Sequence, residues 1–227
     1  AVQAAAELPF DKGLMAEREM FTELLKSDQS KGLIHAFFNE RAVSNLPELK
    51  GVEPRALKSI GVIGGGTMGA GIATAALLAR LEGVLIENGE SQASAAQNRN
   101  AGNIAGARKR GKISQDKYDS LTTKALTVAT DYDTLKDVDL VIEAVNENPG
   151  LKQKIFSDLD QTCSSQTILA TNTSSIPIAL LASVTERPQR VLGLHFMNPV
   201  PIIPLVEMIR TDQTSDAVFK HCANFVK

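Results

Sequence analysis

The stretch KSIGVIGGGTMGAGIATAALLARLEGVLIE, residues 58–87, decides the fold. It opens with an apolar run, Lys58 to Ile63, and passes through Gly64-Gly65-Gly66-Thr67-Met68-Gly69. A helical pattern follows from about Thr67 to Arg80, and a second apolar run, Val84 to Ile86, closes the stretch. Short apolar runs on either side of a helical segment read as a βαβ unit. A G-x-G-x-x-G pattern between the first strand and the helix sits where a dinucleotide-binding turn has to sit. Gly64 can make the tight turn, Gly66 lets the backbone approach a pyrophosphate, and Gly69 permits close packing of helix on strand. The helix begins at Thr67 and Met68, and its unpaired N–H groups and positive dipole end are suited to phosphate.

Glu87 ends the second strand. A carboxylate there accepts both ribose hydroxyls of the adenosine and repels a 2′-phosphate, so the expected cofactor is NAD rather than NADP. A glycine-rich turn alone occurs in many α/β proteins; its register with strand, helix and Glu87 carries the reading.

Beyond this unit the alternation continues. A polar helical stretch runs from about Gln92 to Arg110, a further helix starts near Ser114, a strand spans Val138 to Ala144, and a helix covers about Gly150 to Leu159. Strands at Ile168 to Thr171 and Val191 to Phe196 follow, with a short apolar helix between them. Alternating strands and helices imply an α/β fold with a Rossmann-like, doubly wound, mainly parallel sheet, because a parallel crossover needs a connecting element. Upstream, Met20, Phe21, Leu24 and Leu25, then Leu33, Ile34, Phe37 and Phe38, mark two amphipathic helices whose stripes are too small for an independent core. Pro47, Gly51 and Pro54 fall in an aperiodic stretch. The expected organisation is an N-terminal helical appendage over 1–45, a linker over 46–57 and a nucleotide-binding domain over 58–227.

The net charge of −2 offers no broad attraction to nucleic acid or anionic lipid, so a small-molecule partner is expected. No apolar run reaches the roughly 20 residues of a membrane span, and the first residues do not resemble a signal peptide. Cys163 and Cys222 lack metal-ligand spacing and the density of a disulfide scaffold; they read as packing residues in a reducing compartment. Asn172-Thr173-Ser174 matches a glycosylation acceptor, too short a motif to carry weight.

Oxidation of an alcohol by NAD needs a base for the hydroxyl proton, and histidine suits the task at neutral pH. Of the 3 histidines, His35 lies in the appendage and His221 near the end of the sequence. His195 ends an expected parallel strand, the edge at which open α/β sheets bind ligands. Glu207 follows in the apolar stretch Pro204-Leu205-Val206-Glu207-Met208-Ile209, where an unpaired buried carboxylate would be costly. A carboxylate partner orients an imidazole and stabilises its protonated form. The plainer alternatives, a histidine satisfied in the core and a glutamate facing water from an edge strand, stay open on the residues alone.

Ala170-Thr171-Asn172-Thr173-Ser174-Ser175, Gly193-Leu194-His195-Phe196-Met197-Asn198-Pro199-Val200 and Leu205-Val206-Glu207 together closely resemble the 3-hydroxyacyl-CoA dehydrogenase family. Val141-Ile142-Glu143-Ala144-Val145-Asn146-Glu147-Asn148 extends the likeness, which covers nearly everything from Ser59 onward. The resemblance implies NAD-dependent oxidation of L-3-hydroxyacyl-CoA to 3-oxoacyl-CoA. It implies that His195 is the catalytic base, Glu207 its carboxylate partner, and Ser174 a hydrogen-bonding neighbour of the substrate hydroxyl. Glu147, Lys152 and Asn198 are implied on the nicotinamide side, with Gly64, Gly66, Thr67, Met68, Gly69 and Glu87 toward the adenosine. Arg108-Lys109-Arg110 with Lys112 reads first as a solvated helix face, yet it falls where the family contacts the phosphates of coenzyme A; Arg110 stands in place of the family's lysine, and Asn103 of its serine.

Gly13-Leu14-Met15-Ala16-Glu17-Arg18 and Ala36-Phe37-Phe38-Asn39-Glu40-Arg41 resemble the helices that follow the enoyl-CoA hydratase domain of multifunctional β-oxidation enzymes. The implied setting is a multifunctional parent in which this piece packs on a hydratase domain and on an all-helical C-terminal domain, neither contained in this sequence. Poor turnover by the piece alone is therefore expected. The implied compartment is cytoplasmic for a bacterial protein, with the peroxisome as the alternative. Two other readings remain: a non-catalytic NAD-binding protein of the same fold, and a dehydrogenase of small hydroxy acids or sugars.

Overall fold

The structure is a computed structural model that describes residues 1–43, 45–124 and 126–227, with the side chains at 123 and 124 set aside. Ser44, within the appendage as read from sequence, lies outside the described residues. The chain divides into two compact units, Ala1–Gly51 and Val52–Lys227. The boundary falls inside the Pro- and Gly-containing stretch read as a linker, where Pro47–Leu49 winds into a single 3-10 turn.

Among its described residues the first unit holds three α-helices, where two were expected: α1, Val2–Glu7; α2, Phe10–Leu25; and α3, Asp28–Ala42. The break between α2 and α3 falls at Ser27, whose hydroxyl caps α3 by accepting from the Ser30 amide at 3.1 Å. None of the three helices contains a buried residue. Phe10, Phe21, Leu24, Leu33 and Phe38 are between 62% and 82% exposed, in keeping with stripes too narrow to enclose a core.

The second unit runs β1 (Ser59–Ile63), α4 (Thr67–Leu78), β2 (Glu82–Ile86), α5 (Glu90–Lys109), α6 (Gln115–Lys124), β3 (Leu126–Ala129) and β4 (Leu140–Glu143). It continues with α7 (Pro149–Thr162), β5 (Ile168–Thr171), α8 (Ile178–Ala182), β6 (Val191–Phe196), β7 (Val206–Ile209) and α9 (Asp216–Phe225). The strands form one 7-stranded sheet in the order β3-β2-β1-β4-β5-β6-β7. All neighbours are parallel except β6 and β7, which form an antiparallel pair. The fold is Rossmann-like, as expected from the sequence; β3, β7 and α9 are additions to that reading.

Buried strands of a parallel sheet are apolar on both faces, and here successive residues alternate between two helical layers. Val62 lies under α4, its methyl 3.2 Å from where a side chain on Gly69 would begin. Ile63, Val141, Leu169 and Val191 share a core with Ile155, Phe156 and Leu159 of α7 and Leu181 of α8. On the α4 side, Leu77, Ile104 and Leu121 join α4, α5 and α6. Buried Asn100 donates to Thr74 Oγ1 at 3.0 Å, which in turn donates to the Ala70 carbonyl at 2.7 Å, tying α5 to α4 with their polar atoms satisfied. The strand order places a topological switch between β1 and β4, and ligands of such sheets bind at the carboxyl ends of the strands there.

Candidate active site

At that switch β1 ends in Gly64, whose φ of +92° lies in the region that favours glycine. A side chain at Gly64 would start 3.0 Å from the Ala144 carbonyl oxygen and from Val145 Cγ1, so the turn crosses directly over the end of β4. At Gly69 a Cβ would run into the Gly64 carbonyl itself, which is why α4 can follow the turn so closely. Gly66 is the N-cap of α4 and brings no side-chain cap, and the space at its Cα is open. The first-turn amides beginning at Thr67 and Met68 are therefore left for a ligand.

Glu87 follows β2 and braces the same turn. Its Oε1 accepts from the Gly65 amide at 2.7 Å, while Arg99 of α5 donates to the Gly65 carbonyl at 2.6 Å. Gly64 and Glu87 line a depression of about 230 Å3 together with Tyr132, Lys154 and Asp158. Val145 forms part of this depression and also of a second cleft of about 340 Å3. Met68, Glu147, Lys152, Ser174, His195 and Asn198 line that second cleft. The arrangement, an acidic strand end, a bare helix N-terminus and two adjoining hollows around Val145, fits an extended dinucleotide.

His195 and Glu207 meet through strand register. They are directly opposed in the β6–β7 ladder, and His195 Nδ1 lies 2.7 Å from Glu207 Oε2. A carboxylate only accepts, so Nδ1 carries the hydrogen and Nε2 is left as the ring's acceptor. The Glu207 side chain is 57% exposed, against 23% for His195, so the glutamate faces water from an edge strand and is paired as well. On β7, Glu207 and Ile209 face solvent while Val206 and Met208 are half-buried, so the cross-strand pairing rather than an apolar surrounding joins the two residues.

Ser174 follows β5 by way of a loop pinned at several points. Glu147 Oε1 accepts from Thr173 Oγ1 at 2.5 Å and from the Ser174 amide at 3.0 Å. Burial works to raise the Glu147 pKa, but the hydrogen bonds from Thr173 and Ser174 and the charge of Lys152 outweigh it and hold the carboxyl below its ordinary value. Asn172 Oδ1 accepts from the Phe196 amide at 2.8 Å, joining the ends of β5 and β6 beside His195.

A family model described as the NAD-binding domain of 3-hydroxyacyl-CoA dehydrogenase matches residues 59–227. The chain belongs to the 3-hydroxyacyl-CoA dehydrogenase family. Its residues 59–227 are the NAD-binding domain of that family. The chain is 41% identical over 208 residues to the peroxisomal fatty acid beta-oxidation multifunctional protein MFP2 of Arabidopsis thaliana, covering 91% of this chain and 29% of that protein. It is 42% identical over 171 residues to a 3-hydroxybutyryl-CoA dehydrogenase of Mycobacterium tuberculosis, covering 75% of this chain and 59% of the relative. The crystal structure of M. tuberculosis FadB2 superposes with a TM-score of 0.73 at 42% identity, over 76% of this chain and 60% of that one. The dehydrogenase part of multifunctional enzyme 1 from C. elegans gives 0.69 at 29% identity, over 80% and 42% of the two chains. Thus the chain spans about 29% of the length of multifunctional relatives such as MFP2.

Two residues named from this family's pattern are placed differently from the rest. Arg110 is the C-cap of α5, its guanidinium folded over Gly106, and it does not line the cleft. Lys152 does line the cleft, yet its side chain is only 1% exposed, and its ammonium meets Glu143 Oε1 at 2.6 Å, the Val145 carbonyl at 3.2 Å and Glu147 Oε2 at 3.3 Å. The ammonium thus donates to Glu143 and Val145 and forms an ion pair with Glu147. Glu143 was not singled out from the sequence, although a charged residue closing the apolar run Leu140-Val141-Ile142 signals a buried partner. Among the described residues no group of side chains suits a metal ion, and no helix is long and apolar enough to cross a membrane.

Proposed function

We propose that this chain is the cofactor-binding part of an enzyme that oxidises L-3-hydroxyacyl-CoA to 3-oxoacyl-CoA with NAD+, within a multifunctional β-oxidation protein. The observation that carries the reading is the 2.7 Å His195–Glu207 pair, of which His195 lines the same cleft as Ser174 and as Met68 at the start of α4. NAD+, when bound, supplies the hydride acceptor. His195 takes the 3-hydroxyl proton on Nε2, and Glu207 holds Nδ1–H and offsets the charge of the imidazolium. Ser174 hydrogen-bonds the same hydroxyl and fixes its direction toward the imidazole. Asn198 and Glu147 bound the nicotinamide side, and Glu87 takes the adenosine ribose.

Support for the multifunctional setting comes from relatives named as β-oxidation multifunctional proteins, which align with 91% of this chain at 41% identity and extend well beyond it. In this reading an all-helical domain completes the acyl pocket, and the unburied apolar residues of α2 and α3 pack on an enoyl-CoA hydratase domain. Arg110 as a coenzyme A phosphate contact rests on the sequence pattern alone. The compartment that goes with the reading is the peroxisome for a plant protein, as in the Arabidopsis relative's name, and the cytoplasm for a bacterial one.

The test is NADH oxidation with acetoacetyl-CoA by the full-length protein, with free acetoacetate as control. Turnover that needs the coenzyme A moiety and falls by about 10²- to 10⁴-fold in His195→Gln supports the reading. Equal use of free acetoacetate points to a dehydrogenase of small hydroxy acids, and NAD binding without any turnover points to a non-catalytic protein.

A further inference from the structure

Beneath the cleft, three charged side chains form one hydrogen-bonded cluster. Glu143 is fully buried, and both of its oxygens are occupied by donors: Oε1 accepts from the Lys152 ammonium and the Val145 amide, each at 2.6 Å, and Oε2 accepts from Thr171 Oγ1 at 2.7 Å. A backbone amide and an ammonium can only donate, so Glu143 Oε1 accepts twice, an arrangement suited to a carboxylate. Its contact with Lys152 is much shorter than the 3.3 Å between Lys152 and Glu147, whose side chain is 41% exposed. Two carboxylates share one ammonium, and the cluster carries one surplus negative charge. Because Glu143 claims Lys152 most closely, that surplus resides on Glu147, the member that reaches the cleft surface.

A buried ion pair is a costly way to hold a loop, since an apolar pair of similar volume would often stabilise at least as well. The arrangement has an electrostatic consequence that an apolar pair would lack. The nicotinamide ring is positively charged when oxidised and neutral when reduced, so a fixed negative charge beside it favours the oxidised form. We propose that the Glu143–Lys152–Glu147 cluster biases the site toward NAD+ over NADH, with Glu143 acting as a positioning residue that neutralises Lys152 and leaves Glu147 anionic. This rests on the reading that the nicotinamide occupies the cleft of His195 and Ser174. His195 lines the same wall, with Glu207 paired to it, and both are unchanged in the variants below, so whatever they add to the preference is common to parent and variant.

The experiment measures dissociation constants of NADH, by fluorescence, and of NAD+, by competition against NADH, on the 227-residue chain at one pH. Glu143→Gln and Glu147→Gln each remove one negative charge from the cluster, one from the core and one from the surface. In both, the ratio of the NAD+ constant to the NADH constant is expected to rise by roughly three- to tenfold, the size of one unit charge acting across a solvent-reached cleft. A merely structural role would weaken both forms together and leave the ratio unchanged, and that result in folded variants overturns the proposal. Should Glu143→Gln fail to fold, the ratio in Glu147→Gln decides. If the parent chain binds neither form, the cofactor reading itself has failed, and this inference falls with it for a different and recognisable reason.

Discussion

His195 and Glu207 occupy opposed positions of an antiparallel pair at the edge of an otherwise parallel sheet, with Nδ1 and Oε2 2.7 Å apart. The reversal of strand direction at β7 is what delivers the carboxylate, because the hairpin returns the chain beside the carboxyl end of β6. The neutral ring should therefore carry its hydrogen on Nδ1. Nitrogen chemical shifts of His195 in the 227-residue chain are expected to show Nδ1 protonated and Nε2 bare, with that preference lost in Glu207→Ala. In the full-length protein Glu207→Gln is expected to lower kcat by roughly tenfold or more, through loss of orientation and of imidazolium stabilisation. A bare Nδ1 in the parent chain would contradict the pairing.

Glu87 serves the glycine turn as well as the expected ribose, since one oxygen already accepts from the Gly65 amide. Glu87→Ala is thus expected to weaken NADH by about tenfold or more, the worth of hydrogen bonds to a charged group, and to erase most discrimination against NADPH. Glu87→Gln keeps an oxygen for Gly65 and should lose less NADH affinity while gaining NADPH affinity. Titration of both nucleotides into both variants checks the two effects separately.

The end of α4 holds a conformational cost that can be removed. Arg80 adopts φ of +69°, a left-handed position that glycine takes freely, and the Leu81 amide bonds back to the Ala76 carbonyl at 3.0 Å to close the helix. Arg80 is exposed, so Arg80→Gly is expected to stabilise the chain by up to about 1 kcal/mol. A rise in melting temperature of about 2–4 °C is the expected sign; a fall would mean that the arginine side chain contributes more than the backbone costs.

His221 has a structural task. Its Nδ1 accepts from the Arg55 amide at 3.0 Å, fastening the segment before β1 to α9. Burial, then the charges of Arg55 and Arg190, lower its pKa below the ordinary value. A depressed folded-state pKa means that folding favours the neutral ring, so this contribution is complete above about pH 6.5 and is lost as pH falls through the folded-state value. Thermal melts between about pH 7.5 and about pH 5 should show the loss, and His221→Asn, which keeps an acceptor without titrating, should flatten it. An unchanged pH slope in the variant would remove His221 as the cause.

What the sequence made legible follows from how strongly each segment is buried. The ends of β5 and β6 are readable to the residue, because Ile168–Thr171 and Val191–Leu194 are wholly buried, and runs of that kind stand out against their polar flanks. β3 is not legible because Leu126-Thr127-Val128-Ala129 is a short edge strand with no fully buried position and follows α6 closely. β7 was seen only as an apolar stretch, since its exposed Glu207 and Ile209 mix polar and apolar on one face. At the site, the glycine turn and His195 could be argued from residue chemistry. The hold of Glu143 on Lys152 could not, because it depends on α7 folding back over the end of β4, a distance of geometry rather than of sequence.

The most direct measurement is a titration of the 227-residue chain with NADH, followed by ligand fluorescence, with NADPH as control. Saturable binding of NADH and little or none of NADPH is the expected result, given Glu87 at the end of β2 and the bare helix N-terminus after Gly66. A folded chain that binds neither nucleotide would contradict it, leaving the glycine turn a structural feature only.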